Sequence, residues 1–111
     1  MHNRYCLALD LIDKPALIND YEEWHKAILP EIHASITSSG IVQMEIYRVS
    51  NRLFMIMDVN EKFTFEAKNK ADAENEKVLE WEAMMWNFQQ PLPFAKPGEK
   101  WVLMNKIFSL L

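Results

Sequence analysis

The chain has 111 residues, enough for one compact core and too few for two, so a single domain over 1–111 is expected. It is 50% hydrophobic and 25% charged with only two glycines, which excludes a disordered or low-complexity polypeptide. A net charge of -4 without a Lys/Arg cluster argues against a nucleic-acid partner, and no apolar run approaches the roughly 18–20 residues of a membrane span.

Tyr5, Leu7, Leu9 and Leu11 alternate with Cys6, Ala8 and Asp10, the period of a strand buried on at least one face. Asp13-Lys14-Pro15 then supplies a helix start, with the carboxylate available to cap and proline tolerated in the first turn. From Leu17 through Ile36 apolar residues recur every three or four positions, so an amphipathic helix is expected, kinked by Pro30 or split into two segments meeting at Leu29. Ser39-Gly40 ends it on a left-handed glycine cap.

Ile41 to Val49 and Leu53 to Val59 read as an antiparallel hairpin turned at Ser50-Asn51. The run Leu53-Phe54-Met55-Ile56-Met57 is apolar at every position, which predicts burial on both faces. A polar stretch containing Phe63 and Phe65 follows, and Asn75 to Phe88 shows helical spacing again. Gln90-Pro91-Leu92-Pro93 stops that helix, Lys96-Pro97-Gly98 turns the chain, and Trp101 to Phe108 is expected as a last strand. Strand, helix, strand, strand, helix, strand is the α+β order of the ferredoxin-like βαββαβ arrangement: two helices on one face of a four-stranded antiparallel sheet. The uncovered face would suit a second subunit, closing a dimeric α+β barrel. Four tryptophans, three tyrosines and six phenylalanines exceed what a small core hides, so some should line a pocket or an interface.

Tyr21 and His25, at i and i+4, project from one side of the first helix. Histidine can give and take a proton near neutrality, so the pair reads either as an acid–base site or as a hydrogen-bonded pair at the rim of the core. His33 falls beyond Pro30 and is assigned a solvated or capping role; His2 is terminal, and the three histidines define no metal site. Cys6, inside the first strand, is read as a small buried hydrophobe; alone, it forms no internal disulfide. That, and first residues unlike a secretion signal, point to the cytoplasm. Trp81, Glu82 and Trp86 combine flat rings with a carboxylate, which suits a sugar's C–H face and hydroxyls and equally suits a core helix with a wet edge. On the second strand Glu45 and Tyr47 share one face, Met44 and Ile46 the other.

The stretch Tyr21-Glu22-Glu23-Trp24-His25-Lys26-Ala27-Ile28-Leu29-Pro30-Glu31-Ile32 resembles the L-rhamnose mutarotase family, including its fucose-type branch. So do Glu45-Ile46-Tyr47, Asn51-Arg52-Leu53-Phe54, Glu80-Trp81-Glu82-Ala83-Met84-Met85 and Lys96-Pro97-Gly98-Glu99-Lys100-Trp101. The resemblance implies a cofactor-independent homodimer of ferredoxin-like subunits acting on a monosaccharide, with His25 as proton donor and Tyr21 contacting the sugar. It departs where rhamnose enzymes carry a strand tyrosine, here Met44, and a Trp-Trp pair, here Trp81-Glu82. Both changes alter groups that face hydroxyls, so they imply another stereoisomer such as L-fucose. On this reading His25 protonates the ring oxygen, Tyr21 orients or relays, Trp81 stacks on the sugar, and Glu82 binds a hydroxyl or acts as base. A cofactor-free monooxygenase of the same architecture and a non-enzymatic small-molecule-binding dimer are the alternatives.

Overall fold

Alternation of Leu7, Leu9 and Leu11 with smaller and polar residues produces β1 (Asn3–Leu11) in the computed structural model, which describes residues 3–111; His2 lies outside them. The hairpin follows as expected, β2 (Ile41–Val49) pairing antiparallel with β3 (Arg52–Val59), with a register irregularity between Ile41 and Gln43. β3 pairs along the whole of β1, from Asn3 opposite Val59 to Asp10 opposite Arg52. The other edge of β1 takes two short strands, β4 (Gln89–Gln90) opposite Leu11 and Asp10, and β5 (Val102–Leu103) opposite Ala8 and Leu7. The result is the mixed α+β architecture with an antiparallel sheet, ordered β2-β3-β1-β4 with β5 also on β1.

The helical segment divides more widely than expected. α1 (Pro15–Trp24) ends at His25, and α2 (Pro30–Ser38) begins at Pro30, with Leu29 extended at ψ 142°. That conformation is the one proline imposes on its predecessor, while Pro30 itself sits at the first helical position, where no amide is needed. Asp13 does not cap α1; the cap position is Lys14, whose side chain accepts no hydrogen bond. The polar stretch after β3 forms an unexpected helix, α3 (Phe65–Ala73), started by Thr64 Oγ1 accepting the Ala67 amide at 3.1 Å. α4 (Glu76–Met85) starts on Asn75, whose side chain accepts the Lys77 and Val78 amides, and it stops short of Phe88.

Pairing register sorts the sheet into two faces. Leu7, Leu9, Leu11, Leu53, Met55, Met57 and Val59 are buried on the face that carries the helices. Cys6, Ala8, Phe54 and Ile56 point the other way and are only half-buried, so β3 is not buried on both sides within this chain and Cys6 is not a core residue. Against the inner face lie two apolar clusters, one around Tyr21, Trp81, Met85 and Phe88, the other around Ile41, Met57, Val59 and Phe63. Ile36, Ile46 and Trp101 touch both.

The last strand is far shorter than Trp101 to Phe108. After Val102–Leu103 the amide of Met104 makes one more bond to Cys6 O, and residues 104–111 then leave the sheet. Met104, Ile107 and Phe108 break the period of two, so no single face of a continued strand could bury them. At the other end of β1 the hairpin is tied down. Asn51 Nδ2 donates to Leu11 O at 3.0 Å, and Arg52 grips the buried Asp10 carboxylate through Nε and Nη2 at 2.7 and 3.1 Å. This anchoring fixes the strand end against which β4 is laid.

Candidate active site

The end of α1 builds the first piece of the site. Where the helix stops, the His25 amide bonds the Glu22 carbonyl and not that of Tyr21, which a continuing helix would have used. The His25 ring takes that place, its Nδ1 lying 2.9 Å from Tyr21 O. A carbonyl only accepts, so Nδ1 carries a hydrogen in either protonation state and Nε2 is the atom left to exchange a proton. The ring is further held by Tyr21, tilted 34° against it at 4.3 Å between centroids, and by Trp81, edge-on at 5.6 Å.

Tyr21 is 3% exposed. Burial pushes its phenol up to about 12, opposed in part by hydrogen bonding with the Gln89 amide and reinforced by the Glu82 carboxylate. At neutral pH the phenol is therefore an O–H donor. Trp81, one edge of the same aromatic group, packs in the core and also lines a cavity of about 720 Å³ between helices and sheet. Tyr21, His25, Glu82, Gln89 and Lys100 supply polar groups to its wall, while Met44 and Ile46 contribute to its apolar sheet side. The size falls within the range of small-molecule sites, roughly 300–1,000 Å³.

Glu82 does not stand alone there. The Lys100 ammonium hydrogen-bonds its Oε2 and also donates to its backbone oxygen at 3.2 Å. Lys100 Nζ in turn sits 4.7 Å from the centroid of Trp86. Trp86 was expected among the sugar-contacting residues; it is the C-cap of α4, is 37% exposed and does not line the cavity, and its ring supports Lys100.

Comparison with known proteins covers nearly the full length of the chain. Residues 4–110 match the L-rhamnose mutarotase family. The chain belongs to that family. It is 45% identical over 109 residues to an L-fucose mutarotase of Xanthomonas campestris pv. campestris, covering 96% of this chain and 87% of the relative. A UPF0734 protein of Dictyostelium discoideum is 30% identical over 113 residues, covering 98% and 90%. The crystal structure of an L-rhamnose mutarotase from Formosa agariphila has the same fold, with a TM-score of 0.72 at 20% identity over 98% of this chain and 99% of the other. Membership makes the protein an isomerase of the mutarotase class, which interconverts sugar anomers.

Of the residues expected at a sugar site, Tyr21, His25, Met44, Trp81 and Glu82 meet at one cavity. The second strand thus turns its Met44 face inward, and Glu45 and Tyr47 lie exposed on the opposite face. His33 is exposed, in keeping with a solvated role. Gln89 and Lys100 are among the lining residues to which the sequence reading gave no role. Lys100 is delivered by the Lys96-Pro97-Gly98-Glu99 turn, in which the Glu99 amide bonds Lys96 O at 2.9 Å and Gly98 adopts φ 80°. Gln89 follows the end of α4, and its only advance signal was its place in a loop between two aromatic-rich segments.

Proposed function

We propose that the protein interconverts the α and β anomers of L-fucose by acid–base ring opening at the cavity formed by Tyr21, His25, Trp81 and Glu82. The observation that carries this reading is the His25 ring, held through Nδ1 so that Nε2 is the atom left to exchange a proton, in a cavity that it shares with the Glu82 carboxylate and the Trp81 ring. In ring opening, imidazolium Nε2–H gives its proton to the ring oxygen while a base takes the proton of the anomeric hydroxyl. The bond from C1 to the ring oxygen breaks, and an aldehyde forms. Rotation about C1–C2 and reclosure on the other face return both protons, so no cofactor is consumed. Glu82 fits the role of base or hydroxyl acceptor, its charge balanced by Lys100; Trp81 and the protonated Tyr21 orient the sugar.

L-Fucose is preferred to L-rhamnose for two reasons. Met44 and Glu82 differ from the tyrosine and tryptophan implied for rhamnose enzymes, and the 45% identical relative is named for L-fucose. The reading includes a homodimer closed over the open sheet face as a dimeric α+β barrel, and residence in the cytoplasm, where the unpaired Cys6 would stay reduced.

Saturation-transfer proton NMR on equilibrated L-fucose and L-rhamnose tests it. The wild-type protein is expected to accelerate exchange between the anomeric signals, more for L-fucose, and His25→Ala to lower the rate by roughly 100-fold or more. Wild-type rates in His25→Ala at saturating sugar would remove His25 from the chemistry. No acceleration of either sugar would overturn the reading and favour an oxygenase or a binding module.

A further inference from the structure

Gln89 is 5% exposed, lines the cavity, and its side-chain Oε1 is buried without a hydrogen-bond partner. Its backbone is fixed: it lies opposite Leu11 in the β1–β4 pairing, and the neighbouring Phe88 carbonyl accepts the Ile12 amide at 2.8 Å. Register points its side chain to the inner face with Leu11, toward the Tyr21 cluster, while Gln90 opposite Asp10 faces away. Phe88 and Leu92 nearby are buried hydrophobics, so the amide stands in apolar surroundings, where its hydrogen bonding with the Tyr21 phenol leaves the oxygen unmatched. Buried polar atoms without a partner are rare in folded proteins, and one that persists beside a cavity has a free hydrogen-bonding position to offer a ligand.

We propose that the Gln89 carboxamide is a specificity-determining group of the sugar site, hydrogen-bonding a ring hydroxyl of the monosaccharide. The inference rests on the mutarotase reading above and adds a residue to it. A neutral amide exchanges no proton at physiological pH, so its contribution is positioning and not acid–base work. Its last torsion is soft, so either the oxygen or the NH2 can turn to the hydroxyl, while the Tyr21 phenol beside it offers the complementary partner. L-Fucose and L-rhamnose differ in configuration at ring carbons 2 and 4. An amide held on a sheet strand therefore reads one arrangement of hydroxyls better than the other.

The test is Gln89→Met, which keeps length and removes both polar atoms. With anomer exchange followed by NMR across L-fucose concentrations, KM is expected to rise about tenfold with kcat little changed, and the preference for L-fucose over L-rhamnose to shrink. Without sugar, the Tm of the variant is expected to stay close to that of the wild type, the unmatched oxygen removed offsetting the lost amide contact to the Tyr21 phenol; a clear fall in Tm with KM and sugar preference unchanged would mean a structural role and overturn the proposal. An unchanged KM and sugar preference in Gln89→Met, with the wild type active, overturns this proposal alone. A wild type that exchanges neither sugar overturns the mutarotase reading and this proposal together. Should the variant fail to fold, the wild-type Gln89 side-chain amide signals, assigned by triple-resonance NMR, are expected to shift on titration with L-fucose. Their constancy while exchange is accelerated overturns the proposal.

Discussion

Tyr21 contributes to the site twice, through its main-chain carbonyl, which orients His25, and through its phenol. Tyr21→Phe separates the two, since phenylalanine keeps the carbonyl and the ring packed against His25 and removes only the hydroxyl. The phenol also links stability to pH. Its proton is held more tightly in the folded state, about 12 against 10.0 unfolded, so its stabilising contribution is fully present below pH 10 and is lost as pH rises toward 12. At about 1.4 kcal/mol per unit the loss amounts to at most roughly 3 kcal/mol. Urea midpoints between pH 9 and 12 should therefore fall more steeply for the wild type than for Tyr21→Phe, other titrating groups being common to both. Parallel curves would mean that the phenol is not held in a buried environment.

Among the elements, the turn from α2 into β2 depends on one residue. Gly40 has φ 103°, and a Cβ built there would lie 2.6 Å from Asn60 Oδ1 and 3.0 Å from the Phe63 amide nitrogen. Left-handed strain acts together with an overlap on the Asn60 side chain and a tight contact with the Phe63 main chain, so Gly40→Ala should cost about 2–4 kcal/mol, read as a lowered urea midpoint with an unchanged slope. That glycine cap was legible in advance, as were the central hairpin and the helical spacing of Tyr21 with His25, because local chemistry decides each of them. α3 was not legible: its Phe65–Ala73 stretch is mostly polar, and it is held by the Thr64 cap and the Lys68–Asp72 ion pair at 2.6 Å in place of an apolar stripe. Trp86 misled because helical spacing from Trp81 and Glu82 was extended past Met85, where α4 ends. Gln89 comes to the cavity through pairing of β4 with β1, and Lys100 through its contact with Glu82 on α4, relations between distant segments that no local period records even though the Lys96-Pro97-Gly98 turn itself was legible.

At the scale of the molecule, the distribution of apolar surface is uneven. Ile107, Phe108 and Leu110 are 96%, 76% and 85% exposed in the segment that leaves the sheet after β5, and the outer sheet face carries half-buried Phe54 and Ile56 beside Tyr47, which is 54% exposed. A monomer would keep both surfaces in water, although covering each of the three large side chains is worth about 2 kcal/mol. A second copy of the chain matches this need, since a two-fold pair presents the same segment and the same face twice. Light scattering coupled to size exclusion should therefore give twice the 13.1 kDa chain mass for the full-length protein at micromolar concentration, and a shift to the monomer on removal of residues 104–111. The truncation leaves Lys100 and Trp101 in place, and with them the contact to Glu82. Anomer exchange that survived in the monomer would make the cavity complete within one chain; exchange lost with the dimer would mean that the second copy orders the cavity wall around β5. A full-length protein that runs as a monomer would remove the open face and the C-terminal segment from any interface between copies.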